Sequence, residues 1–398
     1  MVERTDILIS GGGPAGLAAA AAFGSAGFTV VLVDPAPPVT EAGAEGADLR
    51  TTAILQPGAD LLARAGLWDR LAPHAAPLQV MRIVDAGGET AEPRLVRDFD
   101  AADISDRPFG WNFPNWLLRR EMVAHLATLQ NVDFRPGIGT AGVLAREAEA
   151  RVTLSDGARI AARLLVGADG RDSPVRRALG IGATTLRYGQ KALAFAVTHP
   201  IPHRGVSTEI HRWGGPFTLV PLPDQAGHPA SAVVWMDRGP EIDRLAGLGD
   251  DIFGHEASER SGHIRGPLSP VTRRQVWPII ARLAEAMTGP RTALMAEAAH
   301  VIPPIGAQGL NMSLADLAAL LDLAEADRPG LGGPAMLAAY ARARAADVRM
   351  RVMGVDALNR ASMIGARPLR DLRAAALDAF YSVAPLRRAL MRRGLGTG

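Results

Sequence analysis

The sequence predicts an α/β protein: a Rossmann-like nucleotide-binding domain, interrupted by an inserted antiparallel β-sheet domain and finished by a helical C-terminal region. Three observations predict it. A strand–glycine turn–helix–strand unit opens the chain almost at residue one. Between residues 191 and 236 that texture gives way to short apolar or alternating runs separated by Pro and Gly, the mark of an antiparallel sheet. Beyond Gly309 the pattern is mostly helical.

The elements follow in order. Residues 6–10 (Asp-Ile-Leu-Ile-Ser) form a short buried strand running into Gly11-Gly12-Gly13-Pro14-Ala15-Gly16. A helix of Ala and Leu extends to about Ala26, and residues 28–33 form a second strand closed by Asp34. Pro35, Pro37 and Pro38 break regularity, and helical periodicity returns over 59–71. Residues 192–197, 217–220 and 231–235 are the clearest strands of the inserted sheet. Breaks at 329–334 and at Arg367-Pro368 divide the helical end. The expected division places nucleotide-binding segments at 1–75, 101–184 and 271–334. Substrate-sheet segments fall at 76–100 and 185–270, and the helical region at 335–398. A chain of 398 residues has room for these parts.

Composition narrows the chemistry. Hydrophobic residues make up 48% and charged residues 21%, ordinary for a soluble protein with a large core. With no cysteine, disulfides, thiolate metal sites and cysteine nucleophiles are excluded. The net charge is +2, but from Arg342 onward twelve Arg stand against four Asp and no Glu, so the remainder of the chain is acidic. That asymmetry suits an anionic partner or a solvated helical face equally. The N-terminus carries no cleavable apolar segment, and the run 17–23 is too short to span a bilayer, which needs about 20 residues. A cytoplasmic location is expected, with room for peripheral contact at the inner membrane.

The opening motif is informative because of its setting between a strand and a helix. Gly11 permits the tight turn, Gly13 lets the backbone approach a pyrophosphate, and Gly16 allows close helix–strand packing. Pro14 and Ala15 start a helix whose free N–H groups and dipole favour phosphate. Asp34 is placed to accept hydrogen bonds from an adenosine ribose. A second match, residues 137–142, leads into strand-like residues rather than a helix and is rejected as a dinucleotide site. The chain therefore has one dinucleotide motif.

Two further segments carry a resemblance. Residues 164–176 (LLVGADGRDSPVR) closely resemble the G-A-D-G-x-x-S-x-V-R segment of single-component FAD-dependent aromatic hydroxylases, which share the para-hydroxybenzoate hydroxylase-like fold. Residues 296–316 (AEAAHVIPPIGAQGLNMSLAD) resemble the same family's third fingerprint. Residues 48–55 (DLRTTAIL), 115–119 and 215–222 are similar to runs of the ubiquinone-biosynthesis hydroxylase branch, as is the helical stretch 340–347. The resemblance implies FAD as cofactor and NAD(P)H as co-substrate. Asp169 and Gly170 would lie by the FAD pyrophosphate, Glu297 on the ribityl chain, and Gly309, Leu310 and Asn311 in the loop beside the flavin. Arg119 would lie near the FAD phosphates or ribityl. Arg50, Pro303 and Gly306 would face the reacting ring. Glu297 stands where Asp is commoner, Ala296 where Gly is usual, and Ser313 where Gly is frequent.

The activity implied is hydroxylation of the ring of a polyprenyl-phenol intermediate of ubiquinone biosynthesis, using NAD(P)H and O2 through a flavin C4a-hydroperoxide. Alternatives are a hydroxylase of a small soluble phenol, a flavin reductase or dehydrogenase, and a low-activity FAD-binding scaffold of a quinone-synthesis complex. No nucleic acid partner and no metal are expected; the prolines between His199 and His203 preclude a regular helix there, and His211 nearby adds little. His300 reads as a packing and hydrogen-bonding residue. Tyr188 and His211 are candidates for assisting phenol deprotonation. Trp111, Trp116, Trp213 and Trp235 are candidate pocket or core residues, and Pro221, Pro303 and Pro304 candidate cavity walls. Leu369, Leu372, Ala376, Leu377 and Phe380, then Leu386, Leu390 and Met391, recur at helical spacing among arginines. That stripe suits a membrane, a quinone-synthesis partner, or packing against the FAD domain.

Overall fold

The structure is a computed structural model that describes residues 2–86, 93–212, 214–363, 375, 378, 379 and 381–396. Its first sheet has a parallel centre. Thr292–Leu294, Arg159–Gly167, Glu3–Ser10, Val30–Asp34 and Val132–Pro136 lie side by side in that order. Parallel strands covered on both faces must be apolar throughout, which is why Ile7, Leu8, Ile9, Leu32, Leu164, Leu165 and Val166 are fully buried without alternation. Helix Pro14–Ser25 is buried along nearly its whole length, wedged against Asn115–Leu126 and Gln308–Ala326. Its run of alanines permits that close approach. The rejected second glycine motif leads into strand Thr140–Ala145, which pairs antiparallel with Ala150–Leu154.

Among the described residues, the second sheet has nine strands and is antiparallel apart from one pair. Its central members are Gln275–Ala284, Ala183–Thr198, His228–Arg238, Pro216–Gln225 and Val206–His211, with Val80–Asp85 and Leu95–Asp100 beyond. One face carries Leu193, Phe195, Phe217, Leu219, Val233 and Trp235 beneath helices Gly239–Ala246 and Asp250–Arg260. The opposite face is lined by Ala192, Val234, Met236 and Ile279, packed against Ile302 and Ile305 from the nucleotide-binding side. This contact brings the two sheets together.

The fold class holds as expected from the sequence. Sheet membership departs from the expected boundaries at several places, among them His300–Val301, which pairs with Gln275–Ala284 in the nine-stranded sheet. Gln275–Ala284, expected among the nucleotide-binding segments, is a strand of the nine-stranded sheet. Its pattern is masked by Pro278, which sits where the register against Ala183–Thr198 jumps. Ala76–Leu78, expected in the substrate sheet, joins Gly110–Pro114 and Thr51–Leu55 in a separate three-stranded sheet. Among the described residues, helices Gln308–Ala326, Pro334–Met363 and Ala384–Leu395 follow. Among the described residues, no helix is long and apolar enough to cross a membrane.

Candidate functional site

The glycine cradle is built by steric necessity. Gly11 has φ +112°, and a Cβ there would lie 2.4 Å from the Ala168 carbonyl oxygen. A Cβ on Gly16 would lie 1.8 Å from the Gly11 carbonyl oxygen. At Gly13 the outward side is open, with nothing within 4 Å of a built Cβ. Helix Pro14–Ser25 begins there with Pro14 at its first turn, no side-chain cap and no acid in that turn. Its leading N–H groups, including that of Ala15, therefore present unneutralised positive potential to an open approach. This fits a pyrophosphate. Gly12, to which the sequence reading gave no role, is also constrained: its Cβ would strike Asp34 at 2.9 Å. Asp34 accepts from the Gly12 N–H (2.5 Å) and the Ala36 N–H (2.8 Å). A carboxylate has about four acceptor positions, so capacity remains for ribose hydroxyls.

Asp169 closes the cradle from the neighbouring strand end. Its Oδ2 accepts from the Val175 N–H (3.0 Å) and more weakly from the Ser10 hydroxyl (3.4 Å). Its Oδ1 is buried with no partner. Burial pushes this carboxyl above its usual range, against hydrogen bonds from Ser173 and Val175 that lower it. An acceptor buried without a donor is costly, so a ligand hydroxyl fits here. Gly170 follows at φ +81° with open space around it.

Arg50 immediately precedes strand Thr51–Leu55 and lies against Trp277 of the nine-stranded sheet. It forks onto Asp48 through Nε (2.8 Å) and Nη2 (2.7 Å), and its guanidinium lies 4.0 Å from the centroid of the Trp277 ring. Asp48 also accepts from Asn115 Nδ2 (3.0 Å), with Arg119 further off at 3.9 Å. Glu297 faces this cluster: burial would lower the Arg50 pKa, but Asp48 and then Glu297 outweigh it and raise it. The Glu297 carboxylate is half-exposed on a buried turn, 3.7 Å from Arg171.

The loop before Gln308–Ala326 turns at Gly306 (φ +64°) and Ala307 (φ +56°). Pro303 is buried beneath it, Gly306 is exposed, and Leu310 is half-buried. A Cβ at Gly309 would meet nothing within 4 Å. Asn311 spends its side chain internally: it accepts from the Leu55 N–H (2.9 Å) and donates to the Ala53 and Ala307 carbonyls, both at 2.7 Å. It thereby locks the loop to the strand that follows Arg50.

The other candidates separate clearly. Tyr188 donates to Asp356 (2.7 Å), and burial with that partner raises its pKa far from any basic role at neutral pH. His211 pairs with Glu209 at 2.7 Å. His199 bonds the Ile201 carbonyl and the Ser231 hydroxyl, and His203 the Leu222 carbonyl. Among the described residues no cluster suits a metal. His300 is buried against Asp316 at 2.6 Å. Trp111 packs edge-on to Trp68, Trp116 lies under Arg120, and Trp235 packs on Phe217. Pro221 accepts a hydrogen bond from Asn112 at its carbonyl (2.9 Å), while Pro304 is exposed. Trp213, Arg367, Pro368, Leu369, Leu372, Ala376, Leu377 and Phe380 lie outside the described residues. Of the stripe for which membrane, partner and internal packing were all open, Met391 is buried with Ala101 and Phe109.

Sequence reasoning missed Trp277, which lies in a strand without legible alternation. It also assigned no part to Asp48, Asn115 or Asp316, although all three stand inside quoted motifs. A search for acids and amides flanking the motif arginines would have found the first two.

The FAD binding domain family model matches residues 4–354. The chain is 35% identical to the ubiquinone hydroxylase UbiL of Rhodospirillum rubrum, over 98% of this chain and 90% of that protein. It is 27% identical to the 3-demethoxyubiquinol 3-hydroxylase of Escherichia coli, over 99% of each. Among solved structures, P. aeruginosa PqsL in complex with 2-aminobenzoylacetate is similar with TM-score 0.79 and 23% identity, covering 94% of this chain and 100% of that one.

Proposed function

Because the chain belongs to the FAD binding domain family, as an FAD-dependent monooxygenase, we propose that it hydroxylates the ring of a polyprenyl-phenol precursor of ubiquinone, with NAD(P)H and O2. The observation that carries this reading is the full-length similarity to ubiquinone hydroxylases, joined to a cradle that fits FAD. The chemistry supplied by bound FAD is transfer of two electrons from NAD(P)H to O2 and of one oxygen atom to the ring, the other leaving as water.

The chain's own residues bind, orient and exclude water. The helix start at Gly13–Gly16 holds the pyrophosphate, Asp34 the ribose, and Asp169 Oδ1 a hydroxyl of the same chain of atoms. Glu297 takes the ribityl side. Arg50, pre-oriented by Asp48 and Trp277, presents a fixed positive charge beside the nine-stranded sheet. Pro303 and Gly306 shape the turn that would lie beside the flavin. Ala192, Val234, Met236 and Ile279 pack with Ile305 into an apolar wall that keeps water from it.

A basic outer face completes the proposal. Leu386 and Leu390 are exposed on helix Ala384–Leu395 beside Arg388, Arg392 and Arg393. This face offers peripheral contact with an anionic membrane or a quinone-synthesis partner, near the source of a polyprenylated substrate.

The test is NAD(P)H oxidation by the purified yellow protein under labelled O2. A prenylated phenol should stimulate oxidation and gain one labelled oxygen. Stimulation by a small soluble phenol alone would favour the hydroxylase of a small soluble phenol, and bound FAD without stimulated oxidation would favour the scaffold.

A further inference from the structure

Two segments of the candidate flavin site hold non-glycine residues in the left-handed region. Ala296, which precedes Glu297, has φ +55°, and Ala307, which precedes Gln308, has φ +56°. Such conformations persist only where the surroundings over-determine them. Both segments here lead to one buried carboxylate.

Asp316 is wholly buried in helix Gln308–Ala326. It accepts from the Ala296 N–H (3.2 Å), from His300 Nε2 (2.6 Å) and from Arg344 Nε (2.8 Å). Arg344 belongs to helix Pro334–Met363 and also pairs with Asp347 at 2.8 Å. Asp347 pairs with Arg351 at 2.8 Å, and Arg351 donates to Gln308 Oε1. Gln308 then donates to the Gly306 carbonyl at 2.9 Å. The alternating chain Asp316–Arg344–Asp347–Arg351 thus leaves the Ala296 turn and returns to the Gly306–Ala307 loop. Burying such pairs is a poor route to stability, since well-packed apolar residues of similar volume do as well or better. What the chain of charges supplies is direction, for it ties both strained segments to a single origin.

We propose that Asp316 is a positioning residue for the flavin, setting the Ala296–Ala298 turn and the Gly306–Asn311 loop together through His300, Arg344 and the Asp347–Arg351–Gln308 extension. This rests on the reading that these two segments hold FAD. The buried member acts on the turn directly and the outer members act on the loop, so the two halves are separable by mutation.

The experiment compares wild-type holoenzyme with Asp316→Asn, Arg351→Gln and Arg351→Lys. It measures Kd for FAD, the flavin reduction potential, the visible circular dichroism of the flavin and the thermal midpoint of the apoprotein. Asp316→Asn should raise Kd by roughly 10–100-fold, the scale on which losing supporting hydrogen bonds weakens metal sites. Arg351→Gln, at the partly exposed end of the chain, should leave the thermal midpoint near wild type. It should still raise Kd and shift the flavin potential and dichroism, and Arg351→Lys should recover part of the change. If Asp316→Asn does not fold, the Arg351 variants decide the matter. Variants that lower only the thermal midpoint, with Kd, potential and dichroism unchanged, overturn the positioning role. A wild-type protein that cannot take up FAD at all would overturn the underlying reading as well, and that arm is read first.

Discussion

The two ends of the candidate FAD site are built on opposite principles. Around Gly11–Gly16 the backbone is shaped by the absence of side chains, because a Cβ at Gly11 or Gly16 would enter a neighbouring carbonyl group. Around Ala296 and Ala307 the backbone enters the left-handed region despite a Cβ, beside a chain of charges that runs from buried Asp316 to partly exposed Arg351. The first end is a steric device and the second an electrostatic one. The difference teaches where each can fail: the cradle should be intolerant of a methyl group, and the loop of a lost charge.

The largest effect expected is at the cradle. Gly16→Ala places a methyl 1.8 Å from a carbonyl oxygen and should abolish FAD retention, read as colourless protein after gel filtration. A Gly16→Ala protein that stays fully yellow would remove the steric account.

Next comes Arg344→Met, which takes the guanidinium from the wholly buried Asp316 carboxylate and leaves it only His300 and the Ala296 N–H. Unfolding by denaturant should show a loss of about 3–5 kcal/mol. The two ends also differ in the sign of their pH dependence. Burial alone would raise the Asp316 carboxyl, but His300 and Arg344 outweigh it and hold it below the usual range. A depressed folded pKa stabilises above the unfolded value, about 3.9, and that stability is lost as pH falls through the folded value. Removing Arg344 should therefore flatten the acid limb of the stability profile.

Asp169 runs the other way, since burial raises its folded pKa. Its contribution is present below the unfolded pKa and is lost as pH rises through the folded one, so the ionised group weighs against the apo fold at neutral pH. Asp169→Asn should raise the apoprotein thermal midpoint at neutral pH while weakening FAD binding by roughly tenfold, or about 1.4 kcal/mol. A lower midpoint together with unchanged affinity would contradict both halves.

The smallest effect is Ala296→Gly, which relieves a left-handed alanine at the cost of unfolded-chain entropy. These terms nearly cancel, leaving a gain of about 0.5 kcal/mol in denaturant unfolding. A loss larger than about 1 kcal/mol would mean that the alanine methyl packs productively.

The nucleotide-binding end was readable in the chain because its determinants are local. Gly11, Gly13 and Gly16 act within one turn of backbone, and the flanking strands are continuous apolar runs. The substrate sheet was readable in part. Its central strands alternate or run apolar, but Gln275–Ala284 is interrupted by Pro278 at a register shift, and so Trp277 went unnoticed. The third motif was recognised as a string of residues, while its working parts were not. Asn311 is spent on the strand Thr51–Leu55, and Asp316 meets partners 16 and 28 residues distant.

Residue order alone was enough for the fold class and the glycine motif, because steric and periodic constraints act between neighbours in the chain; the cofactor followed from the resemblance of residues 164–176 and 296–316 to aromatic-hydroxylase segments. Tertiary structure decided which charges pair in the core, that Tyr188 is a committed donor to Asp356, and that Arg50 lies across Trp277. Those contacts join residues up to 227 positions apart (Arg50 and Trp277), and only packing in three dimensions sets the burial that gives a charge its strength.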